Sequence, residues 1–449
     1  MFCLMPQKNW GVLGGLVITA ICPVGQFHAA QEPIMRVLVL ESKQLRFRAD
    51  GDKPLLVFGI GLNKKRISTL KIRQRNGRFQ IAINGSSSRW SYLPGNADFR
   101  IRSKDPRGIW LGKRRYRGEL RILLTSNRIQ VVNHLGVEKY LSSVVGSEMP
   151  KSWPMAALQA QAIAARTYAL QQGRKKKFYD VNSTEKSQVY LGIESETKST
   201  RKAVESTRAL VLIHKGRLID AVFHSSSGGF TEASGAVWKK QLPYLVGVPD
   251  YDQHSPSYKW KKEFDPYQLE AAFSETGGVD RVQILNSSNT GRVLRARVDG
   301  PRGELEITGR ELRSRLALKS TLASFEMTPY EPMLNKKLSK KKLSSRDVLR
   351  NWSLTDPGFD LPINALTAPP PLTSPQPFPT LPPLFAMKKP PRLPPIAPKR
   401  ILLVRGSGSG HGVGMSQWGA HGLAEKGADF RKILTHYYKG VDIRRFSST

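Results

Sequence analysis

One stretch, Tyr140 to Gln172 (YLSSVVGSEMPKSWPMAALQAQAIAARTYALQQ), constrains this chain more than any other. In its second half Met155, Leu158, Ala162, Ala165 and Ala169 recur at helical spacing, and the many alanines let that helix pack closely against a neighbour. Its first half reads as a short apolar strand or turn, Leu141 to Val145, followed by a lone acid, Glu148, between Ser147 and Met149-Pro150. Pro150 and Pro154 allow a helix to begin but not to run back through Glu148. The acid is therefore expected at a helix entrance, beside apolar residues, where the plain alternative is an acid that merely complements the helix dipole.

The rest of the chain arranges itself around this stretch. With 449 residues and 39% hydrophobic content it can bury one large core or two modest ones. Residues 1–30 have the form of a secretory signal: Lys8, an apolar run from Trp10 to Cys22 too short for an ordinary membrane span, and a small-residue end at Ala30. An uncleaved membrane tether is the alternative. Cys3 and Cys22 both lie in this segment, so neither a disulfide framework nor a thiol metal site is expected.

Residues 31–132 carry short alternating runs (MRVLVL, LLVFGI, FQIAI, ELRILLT, RIQVVN) with turn signals at Asp50-Gly51, Asn76-Gly77 and Asn84-Gly85, a β-rich N-terminal part. Residues 133–329 read as a mixed core. After the central helix and a basic loop, Gly173 to Lys177, come a helix over Lys198–Ser206 and strands over Ala209–Ile213 and Leu218–Phe223. The second strand delivers His224 to Ser225-Ser-Ser-Gly228-Gly229. Residues 330–400 hold about half of the chain's 30 prolines, with many lysines, and suit an extended insertion whose ends lie close together. A strand over Ile401–Val404, the motif HGVGMSQWG and a helix complete the core over 401–449. The expected fold class is α+β.

The formal net charge of +36 calls for an anionic partner, and an export signal makes that an acidic polymer such as cell wall in preference to nucleic acid. Several chemistries drop out. HSSSGG lacks the strand-to-helix elbow of a serine hydrolase. GSGSGHGVG lacks the Lys-Ser/Thr ending of a phosphate loop. His411, His421 and His436 do not form the helical His pair with an acid that a zinc site uses, so no metal is expected. Cleaving a glycosidic bond needs a carboxylic acid whose pKa is raised by an apolar setting, and Glu148 beside Val144, Val145 and Met149 fits that role. Most glycosidases add a second carboxylate. The acids within the later motifs are Glu232, Glu425 and Asp429, the last two on a helix that looks structural.

SEMP with WPMAALQAQAIAARTY, then FHSSSGGFTEASGAVW (Phe223–Trp238), then GHGVGMSQWGAHGLAEKGADFRKILTHYYKGVDI (Gly410–Ile443) follow one another in a fixed order. In these three motifs the chain resembles the stage II sporulation protein D/LytB family of cell-wall proteins, over roughly residues 120–330 and 400–443. The resemblance implies a lytic transglycosylase with a single catalytic acid. Glu148 would protonate the leaving oxygen, then take a proton from the C6 hydroxyl of muramic acid, leaving a 1,6-anhydro end without water. Carried over by motif, Arg166, His224, Ser226, His411, Gln417 and Trp418 are substrate-site or site-ordering residues. Arg166 also admits a reading as the buried partner of a carboxylate or carbonyl.

Trp153, Tyr168, Trp238 and Trp418 offer flat faces for sugar rings, or else belong to the core. Some relatives bind zinc through a cysteine after the motif histidine. Ser225 stands there in this chain, and no cofactor is expected. The partners implied are peptidoglycan glycan strands and other wall hydrolases. The alternative function is a non-catalytic, peptidoglycan-binding modifier of a wall amidase.

Overall fold

Strict alternation of apolar and polar residues shapes the first part of the chain. The computed structural model describes residues 32–446 apart from 52, 63–65, 86–89, 95–96, 126–127, 174–177, 186 and 330–399. The expected signal, the core of the basic loop and the Pro/Lys-rich insertion thus lie outside the described residues. The chain forms two units, one of residues up to Ser255 resuming at Gly412, the other from Pro256 to His411. The boundary at Ser255 falls within the segment 133–329 that the sequence groups as one core.

The first unit opens with eleven strands: β1 (Ile34–Ser42), β2 (Gln44–Arg48), β3 (Leu55–Phe58), β4 (Thr69–Arg75), β5 (Arg78–Ile83), β6 (Ser91–Leu93), β7 (Asp98–Ser103), β8 (Ile109–Leu111), β9 (Arg114–Tyr116), β10 (Glu119–Leu124) and β11 (Ile129–Gly136). In β2, Leu45 and Phe47 are buried while Gln44, Arg46 and Arg48 are exposed, the period of two that a half-buried strand requires. At the β4–β5 turn Asn76 and Gly77 take φ of 50° and 72°, the conformation of a two-residue hairpin turn. One six-stranded sheet runs β6-β5-β4-β2-β8-β9.

The expected strand over Leu141–Val145 is instead helix. Helix α1 spans Val137–Glu148. Tyr140, Leu141, Val144 and Val145 recur at spacings of one, three and four residues and are all buried, a helical pattern that the β-branched pair Val144-Val145 disguises. A carboxylate from outside the helix caps its start: Glu32 accepts from the Glu138 amide at 2.9 Å, over Gly136, where a Cβ would sit 2.4 Å from that same carboxylate. Its end is set by Pro150, because the residue before a proline is driven to extended backbone. Met149, with φ −134° and ψ 143°, is followed directly by that proline and stops the helix at Glu148.

Helix α2 (Met155–Gly173) then runs as expected, buried on most sides, and packs on α1 and on α3 (Lys198–Ser206). Strand β12 (Val181–Asn182) lies between α2 and α3 and completes the other six-stranded sheet, β12-β1-β11-β10-β7-β3. Past α3, β13 (Leu210–His214) pairs with β14 (Arg217–Leu218). The single strand expected over Leu218–Phe223 is two separate pieces, because β15 (Phe223–His224) leaves that sheet to pair elsewhere. A one-turn helix, α4 (Ser234–Val237), follows. One cluster of buried side chains takes in the inner faces of both large sheets together with α1 and α2.

The second unit has its own core. Its elements are β16 (Lys259–Phe264), α5 (Pro266–Ala272), β17 (Arg281–Ser287), β18 (Val293–Gly300), β19 (Gly303–Thr308), α6 (Gly309–Arg315), β20 (Ala323–Pro329) and β21 (Arg400–Ser407). Strands β20 and β21 are antiparallel neighbours, and Pro329 is the register partner of Arg400. The two ends of the insertion therefore lie side by side, as the sequence suggests.

The chain returns to the first unit with β22 (Met415–Ser416), α7 (Gln417–Glu425), α8 (Phe430–Tyr437) and β23 (Asp442–Arg445), which pairs with β13. The fold is α+β with a β-rich N-terminal part. Among the described residues no helix is long and apolar enough to cross a membrane.

Candidate active site

Glu148 is the last residue of α1, not the first of a following helix, so the helix dipole acts on it with the opposite sign. At a helix C-terminus the unsatisfied carbonyls disfavour a carboxylate and favour the neutral acid. The side chain is half-buried. Its Oε1 accepts from the Val189 amide at 2.8 Å and its Oε2 accepts from Gln417 Nε2 at 3.2 Å. Burial pushes its pKa above the ordinary 4.5. The two hydrogen bonds pull it down, the negative charge of Glu185 pushes it up, and the net effect is a raised value. Each carboxyl oxygen still has a lone-pair direction for a proton.

The two distant motifs pair with each other, and the later one reaches this acid through Gln417. β15 and β22 pair in parallel, placing His224 beside Ser416, one residue before Gln417. The pairing needs a glycine: Gly414 has φ +73°, and a Cβ there would lie 2.2 Å from the Val222 carbonyl oxygen. The Trp418 amide donates to the Ser225 carbonyl at 3.0 Å, and Ser416 caps α7 by accepting from the Gly419 amide at 3.1 Å. Gln417 is thereby fixed in the first turn of α7 and pointed at Glu148. His224 is buried, with Nδ1 3.0 Å from the Val413 carbonyl.

Ser226 is buried and serves as a donor. Its hydroxyl hydrogen-bonds Asp252, which also accepts from the Gly228 and Gly229 amides at 2.8 and 3.0 Å. Burial pushes the Asp252 carboxyl up, and the charge of neighbouring Asp250 adds to this. Asp250 in turn accepts from the Ser227 hydroxyl and, at 2.6 Å, from Tyr437. The serine-rich loop is thus held by two aspartates from the segment VPDYDQ.

Arg166 is not brought to Glu148. It is 1% exposed and pairs with Glu138 at 2.7 Å, with further bonds to the Val204 and Leu210 carbonyls. Glu138 and Glu148 stand at opposite ends of α1, ten residues or about 15 Å apart. This is the buried-partner arrangement; leaving either charge alone would cost about 3–5 kcal/mol. His411 is the last residue of the second unit.

Trp418 packs its ring 4.8 Å from Trp153, and His421 lies 4.7 and 5.5 Å from the two indoles, an aromatic cluster next to Gln417. Trp153 and Trp418 remain half-buried. Trp238 is packed against the core, and burial pushes the Tyr168 hydroxyl up. Of the other acids in the motifs, Asp429 caps α8, Glu425 faces His421 at 3.5 Å, and Glu232 is buried with its own side chain bonded to the Ala233 amide.

Sequence reasoning missed Val189, Glu185, Asp250, Asp252 and Glu138. A backbone amide carries no sequence signal. The two aspartates were legible as a polar pair in an otherwise apolar segment, and an arginine in an alanine-rich helix implies a buried acid such as Glu138. A zinc ion of the kind some relatives hold does not fit here: a serine follows His224, the histidine's Nδ1 is engaged by a carbonyl, and among the described residues no three potential ligands cluster.

A family model described as "Stage II sporulation protein" matches residues 125–214, which contain Glu148, Arg166 and Val189. An uncharacterised protein of Brachyspira hyodysenteriae is 29% identical over 75% of this chain and 74% of its own length. A protein named stage II sporulation protein D from Bacillus amyloliquefaciens is 27% identical over 71% and 76%. A Bacillus subtilis protein named amidase enhancer is 30% identical over 68% of this chain but only 40% of its own length.

Proposed function

Since the chain belongs to the stage II sporulation protein family, whose names attach to sporulation and to the enhancement of wall amidases, we propose that it is an exported lytic transglycosylase of peptidoglycan. Glu148 in its neutral form gives its proton to the oxygen between N-acetylmuramic acid and N-acetylglucosamine, and the bond from the muramic C1 to that oxygen breaks. The carboxylate left behind takes the proton of the same sugar's C6 hydroxyl while O6 bonds to C1. No water enters, and the acid ends as it began. Gln417 and the Val189 amide hold the carboxyl during both transfers, and the half-buried Trp153–Trp418 pair, whose second member is next in sequence to Gln417, offers a ring face on which a sugar could stack.

The observation that carries this reading is a half-buried carboxyl at a helix C-terminus, held by an amide and a glutamine and raised in pKa by burial. A hydrolase of the two-carboxylate kind would use a base or nucleophile across from it; Glu185, whose charge reaches Glu148, is the carboxylate that would serve, and the product ends decide between the two. The test is to incubate the protein and its Glu148→Gln form with peptide-free glycan and weigh the products. Anhydro-muramic ends from the wild type alone support the reading; hydrated reducing ends refute it. The relative named amidase enhancer favours a second reading, a non-catalytic modifier of a wall amidase, and that reading takes over if neither form cuts while both raise the rate of an added amidase.

A further inference from the structure

The two faces of the sheet β6-β5-β4-β2-β8-β9 have opposite chemistry. Leu45, Phe47, Leu70, Ile72, Phe79 and Ile81 enter the core. The alternate positions face away, and the register sets them in rows. Arg46 of β2 lies directly opposite Lys71 of β4, and Arg75 of β4 directly opposite Arg78 of β5. Arg73 lies beside Gln80, and Arg48 beside Trp110, whose other neighbour is Arg115 of β9. Like charges directly opposite each other destabilise a ladder, and this face holds two such pairs.

These cations also differ from those on the other large sheet. There Arg36 pairs with Asp180, Arg102 with Glu119 and Arg121 with Asp98. Here, among the described residues, the face's only ion pairs are Arg48 with Asp50 and Arg115 with Glu194. Aromatic rings take the place of acids. The Arg73 guanidinium sits 3.8 Å over Trp90, those of Arg48 and Arg115 sit 4.8 and 4.9 Å from Trp110, and that of Arg78 is 5.8 Å from Tyr92. Stacking on a ring fixes a guanidinium's orientation; Arg73 also donates to Gln80 at 2.9 Å and Arg48 and Arg115 face acids, while Arg78 turns its in-plane N–H edges to solvent. Arg46, Arg48, Arg75, Arg78 and Tyr92 are exposed.

We infer that this face is a second wall-binding surface, one that takes the carboxylates of the stem peptides on intact peptidoglycan and holds the strand while Glu148 acts elsewhere on the same unit. The inference rests on the wall reading above. Arg46 opposite Lys71 and Arg75 opposite Arg78, without ion-pair partners among the described residues and on strands about 5 Å apart, suit a polymer bearing repeated carboxylates, and binding such a polymer relieves the like-charge pairs.

The test uses the full chain carrying Glu148→Gln, so that nothing is cut, with and without Arg46→Glu, Lys71→Glu and Arg78→Glu together. Co-sedimentation with purified sacculi free of attached phosphate polymers is followed as salt rises. The parent should bind, weakening steeply with salt, and the triple variant should bind about tenfold less at low salt while melting no lower than the parent, since Arg78→Glu turns one like-charge pair into an opposite one. Sacculi whose free carboxylates have been converted to amides should bind both forms alike.

Equal binding of sacculi by parent and triple variant overturns the inference. So does a deficit of the same size on sacculi with amidated carboxylates, or binding that appears only when phosphate polymers are left on the wall. The triple variant with Glu148 restored should cut stripped glycan at the parental rate, so a failure of the transglycosylase reading shows itself separately, as the absence of cutting by every form.

Discussion

At the scale of single residues the proposed chemistry rests on one proton. A carboxyl whose folded pKa lies above its unfolded value of about 4.5 makes the native state bind more protons than the unfolded chain between those two values. Stability therefore falls as pH rises through that window, and the cost is complete above the folded value. Glu148→Gln removes the cost while leaving an acceptor for the Val189 amide. The variant should melt above the wild type at pH 7, the difference should vanish below about pH 4, and its cleavage should drop by about 10²–10⁴-fold. A variant that melts lower at pH 7 would mean that the carboxylate is stabilised where it sits.

Gln417 acts on the same proton from the other side, since its hydrogen bond lowers the Glu148 pKa. Gln417→Ala should move the alkaline limb of the cleavage profile to higher pH, as measured on peptide-free glycan. A drop in rate with an unmoved limb would assign Gln417 to substrate contact alone.

Elements explain what was legible and what was not. Helix α2 was readable because its apolar positions keep the helical period and Pro154 marks its start. Strands β1, β5, β10 and β11 were readable because they alternate or are β-branched. Helix α1 was missed although Tyr140, Leu141, Val144 and Val145 already carry helical spacing, because a short apolar run with two adjacent valines satisfies either period and tertiary burial decides between them. The consequence reached the site: Glu148 closes one helix and does not open the next. The coming together of β15 and β22 was invisible as well, since a two-residue parallel pairing between segments almost two hundred residues apart leaves no periodic trace.

Helix α7 carries its own test. A Cβ at Gly419 would lie 1.7 Å from Asp250 Oδ1 and 2.1 Å from the Tyr437 hydroxyl oxygen. Gly419→Ala should force α7 away from Asp250, cost about 1–3 kcal/mol in urea unfolding and loosen Gln417 from Glu148, so cleavage falls along with stability. An unchanged midpoint and rate would show that α7 does not need this close approach to hold Gln417.

On the scale of the whole molecule, the chain separates the part that carries Glu148 from a long segment of different composition. Residues 330–399 enter and leave through β20 and β21, whose ladder already pairs Pro329 with Arg400. Nothing in the register of these strands depends on what joins them beyond the need to turn back, and a two-residue Asn-Gly turn does that for antiparallel neighbours. Closing a flexible loop costs about 0.6 kcal/mol more for each doubling of its length. Replacing the segment by such a turn shortens the connection by about five doublings and so should stabilise the second unit by at most about 3 kcal/mol. The shortened chain is expected to unfold at equal or higher urea and to cut peptide-free glycan at the parental rate, because Glu148, Gln417 and Val189 all belong to the first unit. If its binding to intact sacculi falls while soluble glycan is still cut normally, the segment adds wall affinity to a catalytic body complete without it. If the midpoint falls instead, residues 330–399 contribute contacts that the β20–β21 ladder cannot replace.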